Sequence, residues 1–159
     1  MTGVAGKLLE RILDDGPRPE PIVHPDTADF WAGLEAGELR VQRCRACGTH
    51  RFPFAPVCHV CGSFELSWEA LPPIGTVATA VRVERATGDA SWSSHVPFIS
   101  GNVDVAHGLR LPGRILCNCG AALHTGTPVR VVLLIASNRQ TVHAFAHDCI
   151  QVNGALSSE

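Results

Sequence analysis

The sequence has no tyrosine and a single methionine, and aromatic residues make up only 6% of its 159 positions. A platform that stacks single-stranded nucleic acid needs exposed aromatics in a basic groove. The basic groove is also missing: 13 Lys and Arg stand against 15 Asp and Glu, for a formal net charge of −2. The electrostatic term that drives nucleic-acid binding is therefore thin, as is any general attraction to anionic membranes. Long apolar runs are absent. The best of them, Val129–Ala136, is broken by Arg130 and falls far short of the roughly 20 residues that a membrane span needs. No basic start followed by an apolar stretch follows Met1, so the expected location is cytoplasmic. Paired carboxylates and a phosphate-cradling glycine loop are missing too, and no active site can be assembled from these residues.

What the chain does have is cysteine in a pattern. Cys44-x2-Cys47-Gly48 and Cys58-x2-Cys61-Gly62 are separated by ten residues. Two tight turns of this kind deliver four thiolates to one point, which is what a tetrahedral soft-metal site requires. The glycine after each second cysteine allows a positive φ, so that backbone N–H groups can face the sulfurs. A closed all-thiolate cage suits one structural Zn²⁺, and a rubredoxin-type iron has the same ligand set. The seven cysteines are an odd number, which fits a reducing compartment better than a disulfide framework. Cys117, Cys119 and Cys149 remain outside the pattern. A nucleophilic role for them has no local support, because no strand–turn–helix elbow or paired acid accompanies them. Cys117 and Cys119 with His124 would make a second metal site of unusual spacing.

The fold class expected is α+β and mainly β: N-terminal helices, a rubredoxin-like ribbon and a five-stranded OB-type barrel. Residues 4–15 have Val4, Leu8, Leu9 and Ile12 at helical spacing and read as an amphipathic helix. Pro17, Pro19, Pro21 and Pro25 make the next stretch an extended connector. A second short helix carries Phe30, Trp31 and Leu34 as its apolar stripe and ends at Gly37. Leu39-Arg40-Val41 leads into the first knuckle, and Phe64, Leu66 and Trp68 alternate with polar residues after the second. Leu71–Gly75 reads as a hinge. Strands then follow at 76–84 (Val77, Val81 and Val83 on one face), 97–105, 109–116, 129–136 and 141–147. A polar loop holding an exposed Trp92 follows the first of them, and a Gly-rich loop spans 117–127. Five short strands around one long loop suit a Greek-key barrel. The division expected is an N-terminal segment at 1–38, the ribbon at 39–71, the barrel at 72–150 and a tail at 151–159.

Several segments in this order are shared with a known family: Phe30-Trp31, the two cysteine pairs, Ile74-Gly75-Thr76-Val77, Val96-Pro97-Phe98-Ile99 and His107-Gly108-Leu109-Arg110-Leu111. Over roughly residues 24–148 the chain resembles the zinc-ribbon/OB-fold family catalogued as domain of unknown function thirty-five. The resemblance implies a non-catalytic partner of a thiolase-superfamily enzyme, a thiolase or an aldolase acting on fatty, steroid side-chain or aromatic acyl-CoA. In such a hetero-oligomer the ribbon and preceding helices would hold the partner or the CoA, and the barrel would pack on the enzyme. The segment before the core pattern and the Cys117-Asn118-Cys119 loop depart from the family. Arg40, Arg43, Arg45 and Arg51 gather near the ribbon in sequence. They read as a solvated face that offsets the charge of the thiolate cage, or, with Arg43, Arg45 and Arg51 foremost, as forks for CoA phosphates. The Phe30-Trp31 helix reads as core, or as a docking element for the partner. The rival function is a stand-alone single-stranded nucleic-acid or scaffold module, because ribbons and OB barrels both serve such roles.

Overall fold

A computed structural model of the chain describes residues 8–14, 16, 18, 19, 21–86, 90–120 and 122–151. The ribbon is a small antiparallel sheet in the order β3-β2-β4, formed by β2 (Arg40–Cys44), β3 (His50–Arg51) and β4 (Leu66–Ala70). The barrel is built from β5 (Ile74–Val83), β6 (Phe98–Asp104), β7 (Arg110–Leu116), β8 (Pro128–Ile135) and β9 (Thr141–Ala146). Its ladder runs β8-β5-β6-β7-β9 and closes because β9 also pairs with β8. One pairing in this ring is parallel within the five strands, that of β7 with β9, and it lets the closing strand enter without a hairpin. The result is the closed five-stranded OB-type barrel expected from the sequence. No helix among the described residues is long and apolar enough to cross a membrane.

The first expected helix is not there. Its described residues 8–14 contain a strand, β1 (Glu10–Leu13), parallel to β8 from Val132 to Ile135. Residues 4–7 and 15 of that expectation, like 152–159 of the tail, lie outside the described residues. The physical reason is an open edge. β5 pairs with β8 only at residues 128–130 and then continues along β6. Val131 N–H still reaches Pro73 O, but Val132 to Ile135 need partners for the groups on that edge, and β1 supplies them. The helical spacing of Leu9 and Ile12 served another purpose: Leu9 sits in the main core and Ile12 packs on a second cluster.

The strand β8 is buried on both faces, as its unbroken apolar run implies. Val129, Val131 and Leu133 point into the barrel with Val77, Val103, Leu111, Ile115 and Phe145. Val132 and Leu134 point outward with Ala144 and Ala146, under Ile12, Leu116, Val142 and Ile150. On β5 the expected alternation fails. A bulge between Val77 and Thr79 puts an extra residue into the strand and moves everything after it to the other face. Val77 is 1% exposed whereas Val81 is 62% exposed. Trp92 is half-buried rather than exposed, with Arg18 over its ring and Phe98 beside it. The proline connector is pinned through Asp14, which pairs with Arg18 and lies 3.2 Å from the Arg114 guanidinium.

The helix α1 (Ala28–Glu35) sits between the two sheets. Phe30 and Leu34 are buried, each worth about 1.5–3 kcal/mol in apolar burial. Leu71 is not a free hinge residue: it is 5% exposed, and its N–H bonds to Leu39 O at 2.8 Å. One continuous cluster runs from Val41 and Phe54 of the ribbon through α1 into the barrel. A polar clamp lies beside it. His50 of β3 stacks on His107 of the β6–β7 turn at 3.7 Å between ring centres, and Glu69 of β4 reaches the His50 Nε2 at 3.1 Å.

The Glu69 carboxyl is held below its usual range by the His50 hydrogen bond and by the charges of His50, Arg43 and His107, against a smaller effect of burial. A carboxyl whose folded pKa lies below its unfolded one adds stability above the unfolded value and loses it as pH falls through the folded value. Glu69→Gln should therefore lose stability at neutral pH and show a shallower decline below about pH 5, measured as the denaturant midpoint against pH. Parallel curves for the two proteins would mean that the clamp carries no charge effect.

Candidate metal centre and its surroundings

The two knuckles have the backbone that the sequence requires. Gly48 N–H bonds to Cys44 O at 2.9 Å, and Gly62 N–H bonds to Cys58 O at 2.8 Å. Both glycines are left-handed, at φ 76° and 71°, which a side chain would strain. Cys44 N–H is held by Thr49 O and Cys58 N–H by Ser63 O, each at 2.9 Å. These paired turns bring Cys44, Cys47, Cys58 and Cys61 together, with all four sulfurs within 4.8 Å of one another.

The separations fit a metal cage. Cys44 Sγ lies 3.6 Å from Cys61 Sγ, and Cys47 Sγ lies 3.6 Å from Cys58 Sγ. A tetrahedron with metal–sulfur bonds of about 2.3 Å has edges of about 3.8 Å. The sulfurs are far too distant for disulfides, and all four cysteines are free. Cys44 and Cys58 are buried, while Cys47 and Cys61 face outward. The Cys47 thiol is pulled down to about 6, first by the Thr49 hydroxyl and then by the Thr49 backbone. The four cysteines are positioned to bind a metal, with no place left for a substrate ligand.

The arginines near the ribbon do not form one cluster. Arg43 pairs across the sheet with His50, and Arg51 pairs with Gln42. Successive residues of a strand face opposite sides, so Arg43 and Arg51 project to opposite faces. Arg43 is half-exposed, with its Nε 3.6 Å from Glu69. Arg45 is exposed in the first knuckle. Arg51 is only 3% exposed, and its Nε and Nη1 have no hydrogen-bond partner. Phe30 is buried among Trp31, Phe54 and His143. Trp31 keeps one edge open, in a shallow groove with Pro21, Val23 and Gln140.

Sequence reasoning passed over an apolar patch on the ribbon tip. Val57, Val60 and Phe64 flank the second knuckle and are all exposed. Alternation places Phe64 on one side with Leu66 and Trp68, but β4 begins only at Leu66, and Phe64 stands in solvent. The Cys117 and Cys119 pair does not gather His124; Cys149 and His147 lie beside it instead.

Comparisons with known proteins cover most of this architecture. Residues 31–67 match a family model described as "ChsH2, rubredoxin-like zinc ribbon domain", and residues 68–134 match "ChsH2, C-terminal OB-fold domain". The chain is 28% identical over 128 residues to a probable enoyl-CoA hydratase alpha subunit of Thermomonospora curvata, a match covering 80% of this chain and 39% of that one. It is 32% identical over 122 residues to a 3-oxo-4,17-pregnadiene-20-carboxyl-CoA hydratase alpha subunit of Mycobacterium tuberculosis, covering 77% of this chain and 38% of that one. The chain therefore spans about two fifths of the length of these relatives. A solved structure described as "Ltp2-ChsH2(DUF35) aldolase" superposes with a TM-score of 0.72 at 26% identity, over 80% of this chain and 98% of its counterpart. A DUF35-family protein of unknown function from Sulfolobus solfataricus shares the fold, with a TM-score of 0.53 at 13% identity over 78% of this chain and 86% of its own.

Cys58→Ser should remove the metal from the ribbon and the order of its knuckles, because a small module of this kind depends on its ion for folding. The loss should appear as a missing equivalent of metal in elemental analysis and as lower thermal stability. Strong chelation of the wild-type chain should reproduce the second effect. A variant with unchanged melting would show that the shared core alone holds the ribbon.

Proposed function

The chain belongs to the DUF35 family of zinc-ribbon/OB-fold proteins, and on that premise we propose that it is a non-catalytic subunit of an acyl-CoA-processing complex. Its partner would be a thiolase-superfamily enzyme, an aldolase or thiolase, and its own role would be to hold that enzyme and help bind the CoA part of the substrate. The observation that carries this reading is the extended match to the chain of the "Ltp2-ChsH2(DUF35) aldolase", which covers 98% of that chain. The relatives named as hydratase alpha subunits act on CoA thioesters by their descriptions, and this supports the substrate class.

In this reading the four-cysteine cage holds one structural Zn²⁺, which keeps the two knuckles rigid and takes no part in chemistry. The exposed Val57, Val60 and Phe64 form an apolar tip that a partner would cover. Arg43 and Arg45, outward on the ribbon, are the candidate contacts for CoA phosphates, where a guanidinium can bind two oxygens at once. Arg51, buried behind the same sheet, is the weaker of the three candidates. Trp31 keeps an open edge for docking, whereas Phe30 supports it from the core.

The test is purification of the tagged full chain from its source cells, with identification of what co-purifies at equal stoichiometry. A thiolase-fold enzyme that loses activity without this chain is the expected result. In that complex, Arg43→Ala with Arg45→Ala should raise KM for the acyl-CoA about tenfold and leave kcat unchanged, as for lost uniform binding. Turnover of an acyl-CoA by the isolated chain would overturn the non-catalytic reading. Retention of oligonucleotides in its place would favour a nucleic-acid module.

A further inference from the structure

The parallel pairing of β7 with β9 has a topological result. Ile115 lies opposite Phe145 and Leu116 opposite Ala146, so both strands leave the barrel at the same end. The next residue on one strand is Cys117 and on the other His147, and the ladder continues through a His147 N–H to Leu116 O bond of 2.9 Å. Two residues further along each chain come Cys119 and Cys149. Segments separated by some thirty residues of sequence thus place three thiols and an imidazole at one point.

We propose that Cys117, Cys119, His147 and Cys149 form a second metal site, a structural one for a divalent zinc-like ion. The four donor atoms lie within 4.8 Å of one another. Cys117 Sγ is 3.5 Å from Cys119 Sγ and 3.6 Å from Cys149 Sγ, and Cys119 Sγ is 3.9 Å from His147 Nδ1. These are nearly the spacings of the ribbon cage, and they match the edges of a tetrahedral Cys₃His site. No pair is at disulfide distance.

The surroundings suit a metal as well. The Asn118 N–H points to Cys149 Sγ at 3.4 Å, the same kind of backbone support that the ribbon knuckles give their sulfurs. The Cys149 N–H lies 3.3 Å from His147 Nδ1, a long contact that a metal would replace, since the nitrogen has one lone pair to give. On binding, the three thiol protons leave to solvent and the imidazole stays neutral. The site then carries a net charge of −1, close to Arg130, whose guanidinium already holds His147 O and Ile150 O. The third grouping of possible ligands, His50 with Glu69 and His107, is already accounted for as a clamp between ribbon and barrel.

The ion would tie the loop after β7 and the turn after β9 to the strands that precede them. The turn after β9 carries Ile150, which covers Val132 and Leu134 on the outer face of the barrel. The loop after β7 forms one wall of a groove of about 420 Å³ with Ala80, Arg82, Ile99 and Leu123. The site therefore sets the shape of that groove and closes the outer cluster. Its existence does not depend on the accessory-subunit reading.

The experiment is elemental analysis of the full chain purified under reducing conditions without added chelator. Two zinc equivalents per chain are expected. Cys119→Ser with Cys149→Ser should leave one, and Cys58→Ser should also leave one, from the other site. Cobalt substitution of a chain carrying Cys44→Ser with Cys58→Ser, whose ribbon keeps only two thiols, should give the thiolate-to-cobalt absorption of a three-sulfur site, a readout that does not need the Cys119 and Cys149 variant to fold. Thiol titration in denaturant with chelator should count all seven cysteines. A single zinc lost entirely with Cys58→Ser would overturn the proposal, and so would a count of five thiols, which would reveal a disulfide in this cluster.

Discussion

A run of aromatic contacts ties the ribbon to the barrel, and the rest of the structure depends on it. Trp68 of the ribbon meets Phe54 at 5.0 Å, Phe54 meets Phe30 of the helix at 5.0 Å, Phe30 meets His143 at 5.8 Å, and His143 meets Phe145 in the barrel core at 5.9 Å. Most are edge-on or tilted, the arrangements that aromatic pairs favour. A ribbon with three short strands cannot bury enough apolar surface to stand alone. Its metal cage orders the tips of its loops, while its base borrows the interior of the neighbouring unit. Burial lowers the pKa of His143, the single imidazole in this run, more than the Pro112 carbonyl, 2.8 Å from Nε2, raises it.

This arrangement divides the surface between two kinds of side chain. Inward residues are spent on the join, so what the ribbon shows to solvent is its far end: Val57, Val60, Phe64 and two arginines. In the proposed complex an apolar tip of this kind suits a hydrophobic recess on the partner. The barrel, in turn, is closed on its inside and covered over part of its outside.

Most of the barrel was legible because its strands are short runs of β-branched and apolar residues, several of them set off by Gly or Pro turns. The ribbon was legible because four cysteines at fixed spacing leave few alternatives. What escaped did so for particular reasons. Leu9 and Ile12 fit a helical period, and nothing local reveals that β5 leaves an edge of β8 vacant more than a hundred residues away. Strand period puts Val81 on the face of Val77, because the bulge between Val77 and Thr79 has no sequence mark in this strand. Arg51 and Arg43 are near in sequence, but the odd and even positions of paired strands carry them apart. Cys149 and His147 could be joined to Cys117 and Cys119 only by knowing that β7 and β9 run parallel.

The partnership of β1 with β8 also bears on the order in which the molecule can be made. Glu10 and Arg130, bonded at 2.9 Å, are 120 residues apart in the chain. A ribosome releases residues at roughly 5–20 per second from the N-terminus. The first strand therefore waits through the synthesis of some 120 further residues before its neighbour exists, while the ribbon cysteines at 44 to 61 are all released well before β8. Of the described strands, β1 is then among the last to find its place.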